Sequence, residues 1–220
     1  MFNFFKKEPK DRNIRDLLFG DVPISGWPAQ ANENQLEPWN LFKQAREEME
    51  RSNPEQAIEI LQRIVKMEKL ESRHYLQAWY FLKKFNVLPE GAFSKKVYGV
   101  VVEVGLDDGL DILAAYEDCS ARYFNYSGAA VIWDRPNNSL DKVINDLISI
   151  SQEVVQRIGV WENERPPQPP KGSVRLNFLT PSGLHFGQGT MEAISNDPMG
   201  GLVLNVATYL MQQLIQKSSK

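Results

Sequence analysis

The chain has 220 residues, of which 42% are hydrophobic and 24% charged, and its net charge at pH 7 is -3. This balance is typical of a globular protein, and the weak negative charge argues against a dedicated nucleic-acid binder, which carries a concentrated basic face. No apolar run approaches the ~20 residues that a membrane-spanning helix needs. The single cysteine, Cys119, excludes an intramolecular disulfide and favours a reducing cytoplasm as the compartment.

Aromatic and basic residues stand together at the amino terminus, where Phe2, Phe4 and Phe5 lie beside Lys6 and Lys7. Such a segment offers weak peripheral contact with a membrane surface. A frayed terminus is the simpler interpretation, because chain ends are usually poorly ordered.

Residues 1–37 are predicted to form an irregular arm. Two prolines and a glycine between positions 21 and 28 prevent a continuous helix there. The arm is too apolar for a solvated tail, so it either packs onto the body of this chain, which we expect, or docks into another protein. The candidate partner-binding residues are Leu18, Phe19, Trp27 and Trp39.

Residues 38–90 are predicted to form three helices, because their apolar side chains recur at helical spacing. Large side chains at Trp39, Phe42 and Leu61 and small ones at Ala45 and Ala57 recur at helical spacing. With this pattern the unit resembles a tetratricopeptide repeat, although the likeness covers only about one and a half repeats. The resemblance implies protein–protein contact, and a plain helical packing unit is the alternative.

Residues 97–134 are predicted to form an antiparallel meander of four strands, because apolar residues alternate with period two. A three-residue loop at 107–109 pairs Val104 with Ile112. A two-residue turn at 127–128 places Arg122 opposite Trp133. The second face of the sheet is not cleanly polar, so the N-terminal helices, the arm or a second subunit is expected to cover it.

The remainder, to residue 217, is predicted as a long helix, a proline-rich connection at 161–172, two strands and a final helix. Asp197 is the predicted N-cap of that last helix, with Pro198 at its first position. The fold class is therefore α+β: an N-terminal helical unit followed, over 96–217, by a largely antiparallel sheet with two long helices on one face. The element order loosely resembles secretion-chaperone-like folds of acidic bacterial proteins.

The glycine-rich region 180–201 is the candidate ligand site. Its residues are His185, Gly187, Gln188, Gly189, Gly200 and Gly201. A helix start with free N–H groups attracts anions, whereas tight backbone packing also explains glycine. His185 is predicted to point away from the side of its strand that carries Leu184 and Phe186. Spacing places neither an orienting partner nor a nucleophile beside it.

These patterns favour a non-enzymatic cytoplasmic protein-interaction module of the adaptor, chaperone-like or immunity type. The alternative is a small-ligand binder or enzyme that uses the 180–201 region with His185. We assign no catalytic residue and no cofactor, and two histidines with one cysteine provide no zinc-ligand spacing. We expect a protein partner, which includes the possibility of a homodimer. We expect neither binding to nucleic acid nor a membrane-spanning segment.

Overall fold

The computed structural model describes residues 14–23 and 37–218. Within them, seven α-helices and a six-stranded antiparallel sheet confirm the predicted α+β class. In chain order the elements are α1 (Ile14–Phe19), α2 (Trp39–Glu50), α3 (Pro54–Lys66), α4 (Ser72–Lys84), a 3-10 turn (Gly91–Lys95), β1 (Gly99–Gly105), β2 (Leu110–Tyr116), β3 (Ala121–Phe124), β4 (Ala130–Trp133), α5 (Asp141–Val155), β5 (Ser173–Thr180), β6 (Gly183–Thr190), α6 (Met191–Asn196) and α7 (Gly200–Ser218). No helix in this part of the chain is long and apolar enough to cross a membrane.

The N-terminal segment is not irregular throughout, because α1 forms a short helix within the predicted arm. Gly20 ends this helix in the left-handed conformation (φ +65°), and a Cβ there would lie 2.8 Å from the Leu76 Cβ. Close approach to α4 and the positive φ therefore both require glycine at this position. The predictions for Trp27 and for residues 2–7 concern positions outside the described residues.

The helices α2, α3 and α4 pack on one another in chain order, as the three-helix prediction requires. They share an apolar cluster of their own, which contains Leu41, Phe42, Ala45, Ile60, Leu61, Ile64, Ala78, Phe81 and Leu82. The resemblance to a tetratricopeptide repeat stays a prediction.

The sheet has the strand order β4-β3-β2-β1-β5-β6, and all neighbours are antiparallel. Both predicted hairpin registers are wrong by one residue: Val104 lies opposite Asp111, and Arg122 lies opposite Ile132. Four residues instead of three connect the strands, because β1 ends at Gly105 and β2 begins at Leu110. Within this loop the Leu106 N–H donates to the Gly109 carbonyl at 2.9 Å.

The helices α5 and α7 cover one face of the sheet, as predicted. Their buried stripes meet the strands in the main apolar core. Its largest fully buried members are Phe178, Leu140, Ile144, Leu147, Leu210 and Leu214. Because α7 lies across this face, the side of α7 that points away from the sheet is the outer surface of the protein.

The opposite face of the sheet is covered from within the chain. Leu18 and Phe19 of α1 and Leu76 of α4 are buried there against Val101. The Tyr116 hydroxyl donates to the Leu18 carbonyl at 2.7 Å. Of the three expected covers, two therefore occupy this part of the face: the arm, through α1, and the N-terminal helices, through α4.

Candidate functional site

His185 lies on β6 directly opposite Phe178 and is therefore on the helix-covered face of the sheet. It points away from the Leu184 and Phe186 side of the strand, as predicted. Both faces are covered, however, so the His185 side chain is buried and the residue is only 1% exposed. Burial lowers the pKa of His185, and the positive charge of Lys95 lowers it further.

Ser182 is the hydroxyl nearest to His185, with its Oγ 3.4 Å from Nε2. The same Oγ lies 2.9 Å from the Thr180 hydroxyl, which donates its own proton to the Gly183 carbonyl at 2.9 Å. Since Thr180 is then the acceptor, the Ser182 proton is directed to Thr180 and not to His185. The three side chains tie the β5–β6 turn together, and this geometry does not activate Ser182 as a nucleophile.

Gln188 is not part of the His185 cluster, because the two side chains lie on opposite faces of the sheet. Gln188 faces Arg175 across the β5–β6 pair. Its Oε1 accepts hydrogen bonds from the Arg175 Nε at 2.8 Å and Nη2 at 2.5 Å. The residues predicted as one ligand site are therefore divided between two sides of β6.

Packing accounts for the glycine pair at the start of α7. The Asp197 carboxylate accepts from the N–H groups of Met199 at 3.1 Å and Gly200 at 2.5 Å, which confirms Asp197 as the N-cap. A Cβ on Gly201 would lie 2.5 Å from the Ser195 carbonyl oxygen. α6, which the sequence did not predict, is the element that packs this closely. Because these N–H groups already donate to Asp197, they are not free to bind an anion, which argues against the anion-binding interpretation.

A Cβ on Gly189 would only touch Ala193 and Ile194 at ordinary contact distances of 3.4 and 3.5 Å. A Cβ on Gly187 would meet nothing within 4 Å. Neither residue is required to be glycine by a close neighbour in the described part of the chain.

Sequence reasoning missed a buried charged network on the face opposite His185. Glu103 is 0% exposed, and its carboxylate accepts from the Arg15 Nε at 2.5 Å and from the Asn177 Nδ2 at 3.2 Å. The Arg175 Nη1 lies 3.5 Å away. The available signal was a carboxylate between Val102 and Val104 in an apolar strand, since a buried charge needs charged partners.

The same network holds the proline-rich connection onto the sheet. The Pro166 carbonyl accepts from the Arg15 Nη2 at 3.0 Å, and the Pro167 carbonyl accepts from the Arg175 Nη1 at 2.6 Å. Arg165, within the connection, forms ion pairs with Asp16 and Asp21. Hydrogen bonds and ion pairs therefore fix the proline-rich connection where it crosses the sheet.

The predicted partner-binding residues in α1 are used inside the molecule, because Leu18 and Phe19 are buried against this chain's own sheet. Trp39 is half-buried, and its ring meets His74 edge-on at 5.1 Å between centroids. Of the four predicted residues, two are thus removed from the exposed surface, and Trp27 lies outside the described residues.

A cleft of about 550 Å³ opens between α1, α4, the start of the connection and the β5–β6 turn. Its aromatic walls and its cationic side chains come from Phe19, Trp79, Tyr80, Trp161, Lys83, Lys84 and Arg165. Asp21 also lines the cleft; burial raises the pKa of this carboxyl, and the nearby Arg165 opposes the rise. Aromatic surface with a few converging charges is typical of a small-molecule site.

The outer face of α7 is an exposed surface without charged side chains. No charged residue lies between Asp197 and Lys217, in a chain that is 24% charged. Leu202 and Tyr209 are each 55% exposed on this face, and Ile215 is exposed farther along it. The sequence signal for the surface was the long uncharged stretch.

A groove of about 510 Å³ adjoins this face between α5 and α7. Val143, Val206, Tyr209 and Gln213 are among its lining residues. The rim carries Lys142 and Asp146, whose side chains pair with each other across one helical turn. The groove and the outer face of α7 therefore form one continuous surface that shares Tyr209, and we call it the α7 surface.

Comparisons with protein-family models, with curated proteins and with solved structures found no match to this chain.

Proposed function

We propose that the chain is a non-enzymatic protein-interaction module of the cytoplasm, of the adaptor, chaperone-like or immunity type, and that it binds its partner through the α7 surface. The observation that carries the proposal is the uncharged outer face of α7, with Leu202 and Tyr209 both exposed. Protein–protein interfaces are depleted of charge at their centre and enriched in tyrosine. Contiguous exposed apolar surface on a folded protein marks such contacts.

Nucleic acid and anionic membrane surfaces are poorer partners for this face, because basic side chains supply much of the affinity for both. An active site around His185 is also less well supported, since the imidazole is buried and the Ser182 proton is directed elsewhere. An uncharged helix face can bind a protein without any catalytic group.

Affinity capture from cells that naturally contain the protein tests the proposal. Wild-type bait is expected to retain a defined protein, and a Leu202→Lys bait is expected to lose it, because a lysine introduces an unpaired charge into the uncharged interface. A Leu88→Lys bait is the matched control, since Leu88 is also a highly exposed leucine but lies after α4. Equal capture by all three baits would exclude the α7 surface.

A small-ligand role is the second candidate, and the cleft beside α4 favours it. Aromatic walls with Lys83 and Lys84 fit a planar molecule that carries an acidic group. Arg165 is already paired with Asp16 and Asp21 and is not a cation for this ligand. Titration with 1-naphthoate, followed by tryptophan fluorescence, is expected to saturate, and Trp161→Ala is expected to weaken binding. A response that does not saturate, or that is unchanged in Trp161→Ala, would rule out this use of the cleft.

A further inference from the structure

We infer that the partner at the α7 surface is a second copy of this chain, in a two-fold arrangement with the α7 helices antiparallel. The inference rests on the proposed function, because it names the partner of the same surface. It is carried by the order of the exposed side chains along α7.

Six of the seven exposed residues of α7 form three pairs that are symmetric about a point midway between Thr208 and Tyr209, and Gln216 is the exception. Leu202 lies as far before this point as Ile215 lies after it, and Asn205 and Gln212 are related in the same way. In a two-fold interface the same patch on both copies meets itself. An axis perpendicular to α7 at this point therefore brings Leu202 against Ile215 of the second copy.

The same axis brings Asn205 against Gln212 of the second copy. Each amide carries both a donor and an acceptor, so the two side chains can satisfy each other. Two identical charged faces would repel one another, whereas this face carries no charge between Asp197 and Lys217. A strongly charged partner would find no counter-charge on it. The face is thus chemically complementary to itself.

The area available sets the strength of the contact. α7 has 19 residues, so it is about 28 Å long at a rise of 1.5 Å per residue. A contact strip about 10 Å wide then covers about 300 Å², compared with about 800 Å² per partner in a standard interface. The groove beside α5 extends the contact, because Tyr209 of the second copy lies near the axis and can enter it. We therefore expect a weak dimer that depends on concentration.

Engineered cysteines test the antiparallel register. Cys119 is buried, so wild-type protein under mild oxidation gives the background level of disulfide-linked dimer. Thr208→Cys, close to the axis, is expected to form a disulfide-linked dimer. Leu202→Cys alone is expected not to cross-link, because two copies of position 202 would lie about 20 Å apart along the length of the helices and a disulfide spans at most about 7 Å between Cα atoms.

A mixture of Leu202→Cys and Ile215→Cys proteins is expected to form the mixed disulfide. The Tyr126→Cys variant gives the disulfide yield that random collisions produce at an exposed site away from α7. The register is contradicted if Leu202→Cys alone cross-links as readily as the mixture. The dimer is contradicted if Thr208→Cys does not exceed the Tyr126→Cys background.

Sedimentation equilibrium tests the dimer without cross-linking. The mass of wild-type protein is expected to rise from 25.2 kDa toward twice that value as concentration increases. Tyr209→Lys places two lysines together at the axis and is expected to keep the protein monomeric. Tyr126→Lys makes the same charge change at a tyrosine of equal exposure and is expected to behave as wild type.

A wild-type protein that stays monomeric at every concentration overturns the second-copy inference. If the affinity capture still loses its partner only in Leu202→Lys, the proposed function stands with a different partner. If the capture is also insensitive to Leu202→Lys, both fail. The two experiments therefore separate an error about the partner from an error about the surface.

Discussion

Leu202 and Tyr209 lie seven residues apart on α7 and therefore on the same side of the helix, where both are 55% exposed. The opposite side of α7 supplies Val203, Leu210 and Leu214 to the main core. One helix thus holds the domain together with one side and presents an uncharged surface with the other. The stability of the fold and the binding of a partner are expected to respond separately to changes on the two sides.

Substitutions on the two sides of α7 test this separation. Leu202→Lys is expected to change the free energy of unfolding by no more than about 0.5 kcal/mol, because the side chain is exposed. Leu210→Ala is expected to cost about 2–5 kcal/mol, because it leaves a cavity in the core. Urea denaturation measures both values. A large loss for Leu202→Lys would mean that its side chain stabilises the folded chain.

The crossing of the proline-rich connection over β1 depends on Gly105. A Cβ at this position would lie 2.6 Å from the Pro169 carbonyl oxygen and would overlap that of Pro170. Gly105→Ala is therefore expected to destabilise the protein by about 1–3 kcal/mol. Gly187→Ala on β6 is the control, since a Cβ there meets nothing within 4 Å. Equal melting temperatures for the two variants would contradict the close crossing.

The buried carboxylate of Glu103 is expected to contribute more to the free energy of unfolding than a surface ion pair does. Glu103→Gln leaves Arg15 and Arg175 without their shared negative charge, and breaking a buried pair costs about 3–5 kcal/mol. Asp146→Asn breaks the exposed pair with Lys142 and is expected to cost about 0–1 kcal/mol. Chemical denaturation of both variants gives the comparison, and similar losses would show that the Glu103 network contributes little.

His185 is expected to make the fold less stable in mild acid. Burial lowers its pKa in the folded state, so as pH falls below about 6.5 the unfolded chain takes up a proton first. The stability is therefore fully present above the unfolded pKa and is lost as pH falls toward the folded pKa. Unfolding free energies at pH 7 and 5 should differ more for wild type than for His185→Gln. Parallel pH profiles would contradict the prediction.

Local patterns predicted the element types well, because helical and strand periods are short-range properties of the sequence. The α+β class, the antiparallel sheet and the Asp197 cap all follow from them. The hairpin registers could not be predicted from local patterns, because Val100 and Val101 are both apolar and both faces of β1 are buried. When each face is apolar, a shift of one residue leaves the pattern equally plausible.

The site was harder to predict than the fold. The partners of Glu103 come from α1 and β5, and no local pattern relates positions so far apart in sequence. His185 and Gln188 are near neighbours in sequence but lie on opposite faces of β6, because neighbouring positions alternate along a strand. To predict which residues of α7 are exposed, one must know which side of the helix packs against the sheet. The uncharged stretch can be seen in the sequence, but only this packing shows that part of it lies on the surface.

The most direct test of the α7 surface is photo-cross-linking in cells that naturally contain the protein. A benzophenone amino acid replaces Tyr209 in one variant and Tyr126 in the other, since the two tyrosines are equally exposed. We expect a discrete cross-linked protein band from position 209 and none of comparable yield from position 126. Bands of equal yield from both positions, or no band from position 209, would contradict binding through α7.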